Sequence, residues 1–317
     1  MKVLVTGASG FIGTALCQQL AEGGADVTAL LRRAVPELTH LHQITCELDD
    51  FDKVAQALGG VDVVVHLAGR AHRLNEKLSD PLAVYRRVNR DLAVSLAELA
   101  VIAGVKRFVF VSSISVNGVE TGLIPVNELS EPRPVKAYAI SKYEAENELI
   151  RLLKGRMELV IVRPPLVYSG GAVGNFERLL KVVKLGIPMP FASVTAKRSL
   201  ISLANLIEFL KLVMTHPNAA NELFVVSDGV DVSLPEMLRY LAKGMGKRSF
   251  IFPVPVKLLH FGAVVCRKEA LFTQLCGSYL IDSSKSRVLL NWTPSHEVFS
   301  ELSLAAEDFK AASLSND

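Results

Sequence analysis

Tyr138 and Lys142 stand four residues apart in the segment YAISK, at the start of a helical pattern, and so share one helix face. A phenol with an ordinary pKa of about 10 is a poor acid–base group at neutral pH, but an adjacent ammonium and a cationic nicotinamide both favour its phenolate. Ser113, at the end of the strand-like run RFVFVSS, adds a hydroxyl able to hydrogen-bond a reacting oxygen. Ser113, Tyr138 and Lys142 are therefore the candidate catalytic unit, with Tyr138 exchanging a proton while hydride moves between the reacting carbon and a nicotinamide. Taken alone, a Tyr-x-x-x-Lys pair is usually a helix surface. Its weight here comes from a second motif that would bring a dinucleotide to it.

That motif is Thr6-Gly7-Ala8-Ser9-Gly10-Phe11-Ile12-Gly13, which follows a first Val/Leu strand and opens a helix. Gly7 permits the tight turn, Gly10 lets backbone N–H groups approach a pyrophosphate, and Gly13 allows close helix packing, while the helix N-terminus supplies positive potential. At the end of the second strand, NAD-binding folds often place a carboxylate against the ribose hydroxyls; this chain has Leu31-Arg32-Arg33. Two guanidinium groups can form forked hydrogen bonds to a 2′-phosphate. Arg32 and Arg33 thus predict NADP(H) in preference to NAD(H), against the alternative of a solvated strand end.

Short β-branched runs alternate with longer helical patterns through the first half: KVLVT, a helix from Phe11, DVTALL, a helix near Asp50 to Leu58, DVVVHLAG, a long helix, then RFVFVSS. Alternation of this kind predicts an α/β fold with a doubly wound parallel sheet, its strands apolar on both faces and its crevice at their carboxyl ends. After VRPP the texture turns Gly-rich and Pro-rich. We therefore expect a dinucleotide-binding domain over 1–168 and a smaller substrate lobe over 169–317, with segments 200–214 and 223–226 returning to the sheet.

The 317 residues suffice for a core without disulfides or metals; 50% are hydrophobic, 21% are charged, and the net charge is +3. With no basic block, nucleic acid is not an expected partner. Cys17, Cys46, Cys266 and Cys276 show no metal-ligand spacing, so structural thiols are expected and no metal. A signal peptide and a transmembrane segment are not expected either; the richest apolar run, Leu258 to Cys266, is about half the length needed to cross a bilayer. The chain reads as cytoplasmic, with a patch there that could face a membrane.

TGASGFIG, HLAG at His66–Gly69, VNRDLA from Val88, VSSISVNG from Val111, YAISK and VRPPLVY together resemble the extended short-chain dehydrogenase/reductases. Within that NAD-dependent epimerase/dehydratase family they look most like the UDP-sugar 4-epimerase and 4-ketoreductase branch, over nearly the whole chain. LLNWTP at Leu289–Pro294 resembles the family's closing Leu-Gly-Trp-x-Pro, with Asn291 where glycine is usual. The resemblance implies a Rossmann fold and cofactor contacts from Gly7, Gly10, Phe11, Ile12 and Gly13, from Leu67, Ala68 and Gly69, and from Tyr138 and Lys142. It places Glu47-Leu48 where the family has Asp and an aliphatic residue against adenine, Pro164 and Val167 in the loop passing the nicotinamide, and Asn89 as a structural asparagine near the site. It also implies homodimers formed through the helices before Gly104 and after Tyr138.

On the substrate side, Gly174-Asn175-Phe176 and Lys197-Arg198-Ser199 resemble nucleotide-diphosphate contacts. Asn175 and the backbone N–H of Phe176 lie at a helix start, and Arg198 offers a forked cation, unless it is a solvated loop arginine. Ser113 would also touch the sugar. Arg163 reads as packing, Tyr168 as either sugar pocket or core, and His66 and His72 as structural. Arg32 and Arg33 tip the reading toward NADPH-dependent reduction of a UDP-4-keto-6-deoxy-hexose. The alternative is a UDP-hexose 4-epimerase with tightly bound NAD, acting on UDP-glucose or UDP-N-acetylglucosamine; a minor one is a non-catalytic dinucleotide-binding sensor.

Overall fold

Strand β1 (Lys2–Thr6) is buried from Val3 to Thr6, and its alternate residues feed two different cores. The computed structural model describes residues 1–70 and 79–314. β2 (Asp26–Leu31), β3 (His42–Thr45), β4 (Val63–His66), β5 (Arg107–Val111) and β6 (Glu158–Arg163) join it, followed along the chain by β7 (Leu166–Tyr168), β8 (Lys197–Arg198), β9 (Leu200–Ser202), β10 (Leu223–Val225) and β11 (Val232–Ser233). Among the described residues, seven strands form one parallel sheet in the order β10-β6-β5-β4-β1-β2-β3. The chain winds outward in both directions from the β1/β4 boundary, which opens a crevice at the carboxyl ends of those strands. This is the doubly wound Rossmann arrangement.

Among the described residues, twelve α-helices cover the sheet and build the second lobe: α1 (Phe11–Glu22), α2 (Phe51–Ala57), α3 (Pro81–Arg86), α4 (Leu92–Ile102), α5 (Ala137–Leu153), α6 (Asn175–Leu185), α7 (Leu203–Val213), α8 (Leu234–Gly244), α9 (Val256–Val265), α10 (Glu269–Cys276), α11 (Ser284–Leu290) and α12 (Val298–Leu314). On one face Val3 and Val5 pack with Leu16 and Leu20 of α1 and Leu206, Phe209 and Leu210 of α7. On the other Leu4 and Val64 pack with Val54 of α2, Leu96 of α4 and Leu149 of α5. Strands covered on both sides must be apolar throughout, which is why β4 reads Val-Val-Val and β5 is buried along its length.

The lobe has its own core, where Phe176 and Leu180 of α6, Leu238 and Leu241 of α8 and Leu302 and Ala306 of α12 meet. Ser233 and Glu236 form a capping box at the start of α8. The lobe's helices follow β7, yet the chain returns through α7 and β10, the latter pairing with β6. Asn291 ends α11 in the left-handed conformation, φ +52°, which asparagine tolerates better than most side chains. Its place in the Leu-x-Trp-x-Pro segment is thus a turn, and Trp292 beyond it packs edge-on against Phe209 at 4.9 Å.

Candidate active site

Beyond β5, Ser113 is extended and starts a single 3₁₀ turn, Ile114–Asn117. The backbone N–H and the hydroxyl of Ser115 both donate to Ser113 Oγ, at 3.2 and 2.9 Å. The turn is held from both lobes: Ile114 N–H donates to the Pro164 carbonyl at 3.0 Å, and Tyr279 Oη donates to the Ile114 carbonyl at 2.9 Å. Tyr138 stands on the first turn of α5, near the Ser113 hydroxyl. Burial pushes its phenol above the ordinary value, and the neighbouring Ser113 side chain pulls it part of the way back. The ring of Tyr85 stands edge-on to that of Tyr138 at 6.3 Å.

One turn along α5, the buried Lys142 sends its ammonium to the Val111 carbonyl at 2.9 Å and over the Phe110 ring at 4.6 Å. Burial lowers its pKa to about 8, opposed by the carboxylate of Glu146 one further turn along. At neutral pH the ammonium is still mostly charged, so positive charge sits beneath Tyr138. Glu146 is itself buried and paired with Arg163, whose Nε donates to Oε1 at 2.9 Å and whose Nη1 donates to Asn117 Oδ1 at 3.0 Å. Arg163 is therefore a packing residue at the end of β6.

Between α3 and α4 the helix widens into a π turn, Arg87–Asp91, a distortion frequent at functional sites. It aims Asn89 inward. Asn89 Oδ1 accepts from the Arg70 N–H at 2.7 Å, and its Nδ2 donates to the Arg70 carbonyl at 3.2 Å and to Ser141 Oγ at 3.0 Å. Ser141 in turn donates to the Tyr138 carbonyl at 2.8 Å. The end of β4 and the start of α5 are thus clamped together. Ser141, Ser115 and Tyr85 were not singled out from the sequence. Ser141 had a signal, since it lies inside YAISK, but its partner Asn89 is remote in the chain.

His66 is fully buried, stacked beside Phe108 and Phe110, with Nδ1 2.9 Å from Thr6 Oγ1 and Nε2 without a hydrogen-bond partner among the described residues. Burial, aided by the charge of Lys142, lowers its pKa to about 3. It is neutral in the folded protein and structural. His72, read the same way, lies outside the described residues. Because the unfolded chain takes up a proton near pH 6.5 and the folded one only near 3, His66 contributes stability above pH 6.5 that is lost as pH falls through that window. Between pH 7 and 5 the wild type should lose about 2 kcal/mol more than a His66→Gln variant in urea unfolding.

The crevice fits the phosphates of a dinucleotide. Gly7 has φ +69°, and a Cβ there would lie 2.6 Å from the Ala68 nitrogen; a Cβ on Gly13 would lie 2.2 Å from the Gly7 carbonyl oxygen. Both glycines let α1 start tight against β1 and the β4 loop. Gly10 begins α1 with no side-chain cap and no acidic residue in the first turn, which leaves N–H groups for an anion. Gly69 completes the cradle: a Cβ there would meet Asn89 Oδ1 at 3.2 Å and Lys142 Nζ at 3.4 Å.

The other sequence candidates are distributed as follows. Phe11, Ile12, Leu67 and Ala68 line the same turn and are half-buried. Arg32 and Arg33 are exposed just past β2, Glu47 is exposed past β3, and Leu48 packs against the core behind it. Val167 lies within β7 and not in a loop, paired with Ile201. Tyr168 is core: its hydroxyl donates to Asp228 at 2.8 Å. Phe176 is buried against Tyr168, leaving its backbone for a ligand, while Asn175 is exposed. Among the described residues no hydrogen bond or ring contact joins Asn175 or Phe176 to Ser113, Tyr138 or Lys142. Arg198 is half-buried, its Nη1 donates to the Gln274 carbonyl, and burial lowers its pKa. Its strand neighbour is Tyr279, whose hydroxyl reaches the Ser113 turn.

The sheet and the Ser–Tyr–Lys cluster define an extended short-chain dehydrogenase/reductase. Residues 3–227 match the NAD dependent epimerase/dehydratase family, and the chain belongs to it and is an enzyme of that class. It is 39% identical over 297 residues to a UDP-glucose 4-epimerase of Vibrio cholerae, covering 92% of this chain and 90% of that protein. It is 28% identical to the N-acetyl-alpha-D-glucosaminyl-diphospho-ditrans,octacis-undecaprenol 4-epimerase of Escherichia coli O157:H7, covering 81% and 77%. Among solved structures, the UDP-glucuronic acid 4-epimerase of Bacillus cereus shares the fold with a TM-score of 0.79 at 22% identity, covering 98% of this chain and 99% of that one.

Proposed function

We propose that the protein is a nucleotide-sugar 4-epimerase acting on a UDP-hexose, UDP-glucose or UDP-N-acetylglucosamine, with Ser113, Tyr138 and Lys142 as catalytic residues. The observation that carries this is the convergence of the Ser113 hydroxyl, the Tyr138 phenol and the Lys142 ammonium beside the Gly69 cradle. Likeness to 4-epimerases favours epimerisation over the net reduction expected from Arg32 and Arg33.

A bound dinucleotide supplies a reversible hydride acceptor, held by the Gly7–Gly13 turn, Leu67, Ala68 and Gly69, with Glu47 and Leu48 toward adenine and Pro164 and Val167 toward the nicotinamide. Tyr138 Oη takes the proton of the C4 hydroxyl as C4 is oxidised and returns it when C4 is reduced from the other face. Lys142 stabilises the phenolate that Tyr138 must be before it takes that proton and is again once it has returned it, and Ser113 Oγ hydrogen-bonds the C4 oxygen throughout. Asn175, the Phe176 N–H and Arg198 bind the diphosphate. The helices α4 and α5 form the dimer contact, and the enzyme works in the cytoplasm, where nucleotide-sugars are made.

One observation favours a second reading. Arg32 and Arg33 are exposed, with no hydrogen bond or ion pair among the described residues, where a 2′-phosphate would lie. They suit NADPH and reduction of a UDP-4-keto-6-deoxy-hexose. Incubating purified protein with UDP-glucose and UDP-N-acetylglucosamine and following the sugars by NMR separates the two. The 4-epimer is expected, with no net change in nicotinamide absorbance. Stoichiometric NADPH consumption with a 4-keto sugar, and no epimer, would show a reductase.

A further inference from the structure

Helix α9 has the sequence VKLLHFGAVV, apolar enough that a packed protein would normally bury it. None of its residues is buried. Only Leu259 and Ala263, one turn apart, are half-covered, and Leu259 packs on the lobe core. On the opposite side Leu258, Phe261 and Val265 form a stripe that is 58%, 65% and 66% exposed. Phe250 and Phe252 before the helix and Leu271 after it are exposed as well. An outward apolar stripe of this kind marks a surface with a partner.

Charge identifies the partner. From Lys247 to Lys268 the chain carries Lys247, Arg248, Lys257, Arg267 and Lys268 and no Asp or Glu. All five are exposed, and none forms an ion pair among the described residues. A second copy of this chain would fit poorly, because a two-fold contact sets the same cations against one another. A helix with an apolar stripe and a cationic surround is suited instead to lie in the plane of an anionic bilayer, with its apolar side chains at the acyl boundary and its Lys and Arg at phosphate headgroups.

We propose that α9, with the flanking Phe250–Phe252 and Arg267–Lys268 segments, is a docking surface for an anionic lipid membrane. The inference is independent of which reaction the site performs. No described helix is long and apolar enough to span a membrane, so the contact is peripheral. It also neighbours Arg198, since α10, next along the chain, carries the Gln274 carbonyl that accepts from that side chain.

The test is co-sedimentation of the full chain with phosphatidylglycerol/phosphatidylethanolamine vesicles and with phosphatidylcholine vesicles. Binding to the anionic vesicles is expected, weakened by salt and at least about tenfold stronger than to phosphatidylcholine. A Leu258→Ser/Phe261→Ser/Val265→Ser variant and a Lys257→Glu/Arg267→Glu/Lys268→Glu variant should each lose about tenfold or more of that binding, with turnover of soluble substrate unchanged as proof of folding. The charge variant decides the matter if the serine variant does not fold. The proposal is overturned by failure of the wild type to bind anionic vesicles, by equal binding to phosphatidylcholine, or by variants that bind as well as wild type. It is equally overturned if α9 proves to join two copies, seen as a wild-type oligomer that the serine variant dissociates and that ignores vesicles.

Discussion

Tyr138→Phe is expected to lower turnover by about 10³-fold while leaving dinucleotide binding and the unfolding midpoint unchanged. The phenol is the group proposed to move a proton at the reacting oxygen, for it stands near the Ser113 hydroxyl and shares its helix face with Lys142. Phenylalanine keeps the edge-on packing against Tyr85 and removes only the hydroxyl. A loss of that size in kcat with an unchanged binding isotherm for the dinucleotide would assign the role. Turnover equal to wild type would remove Tyr138 from the chemistry.

Glu146→Leu has the largest expected effect on stability, a loss of about 3–5 kcal/mol in denaturant unfolding, because it leaves the guanidinium of Arg163 charged in the interior. The pair is buried on both sides, so solvent cannot step in for the missing carboxylate. A second effect separates this variant from a simple packing defect. Glu146 is also the charge that raises the pKa of Lys142 against its burial, so without it that pKa falls below about 8. Lys142 then loses its proton at lower pH, and the alkaline fall in kcat/KM of the surviving folded protein should move to lower pH. The double variant Glu146→Leu/Arg163→Met should recover much of the stability and none of the pH shift.

Much of the site could be read along the chain because its parts are local. The turn from Thr6 to Gly13 encodes its own close approaches, and a Tyr and a Lys four residues apart meet on any α-helix. Runs such as Val63–Val65 announce a strand covered on both faces. The role given to Arg163 as packing rests on the same logic, since it ends such a run, whereas His66 reads as structural because Tyr138 already fills the proton-transfer role. The cofactor preference drawn from Arg32 and Arg33 is a different kind of inference: it concerns side chains that reach into solvent, where neighbouring groups do not constrain the outcome.

Local pattern determined that a glycine turn, a parallel sheet and a helix with Tyr138 and Lys142 on one face exist, since each is set by residues within a few turns of one another. Tertiary structure alone decided that Asn89 reaches Ser141 across 52 positions of chain, that Tyr279 anchors the Ser113 turn from 165 residues away, and that Phe176 and Tyr168 are core. It also decided that α9 turns its apolar stripe outward. Such contacts depend on how distant segments close upon each other, and the entropy lost in that closure is offset by burial summed over the whole fold, which no short window of sequence contains.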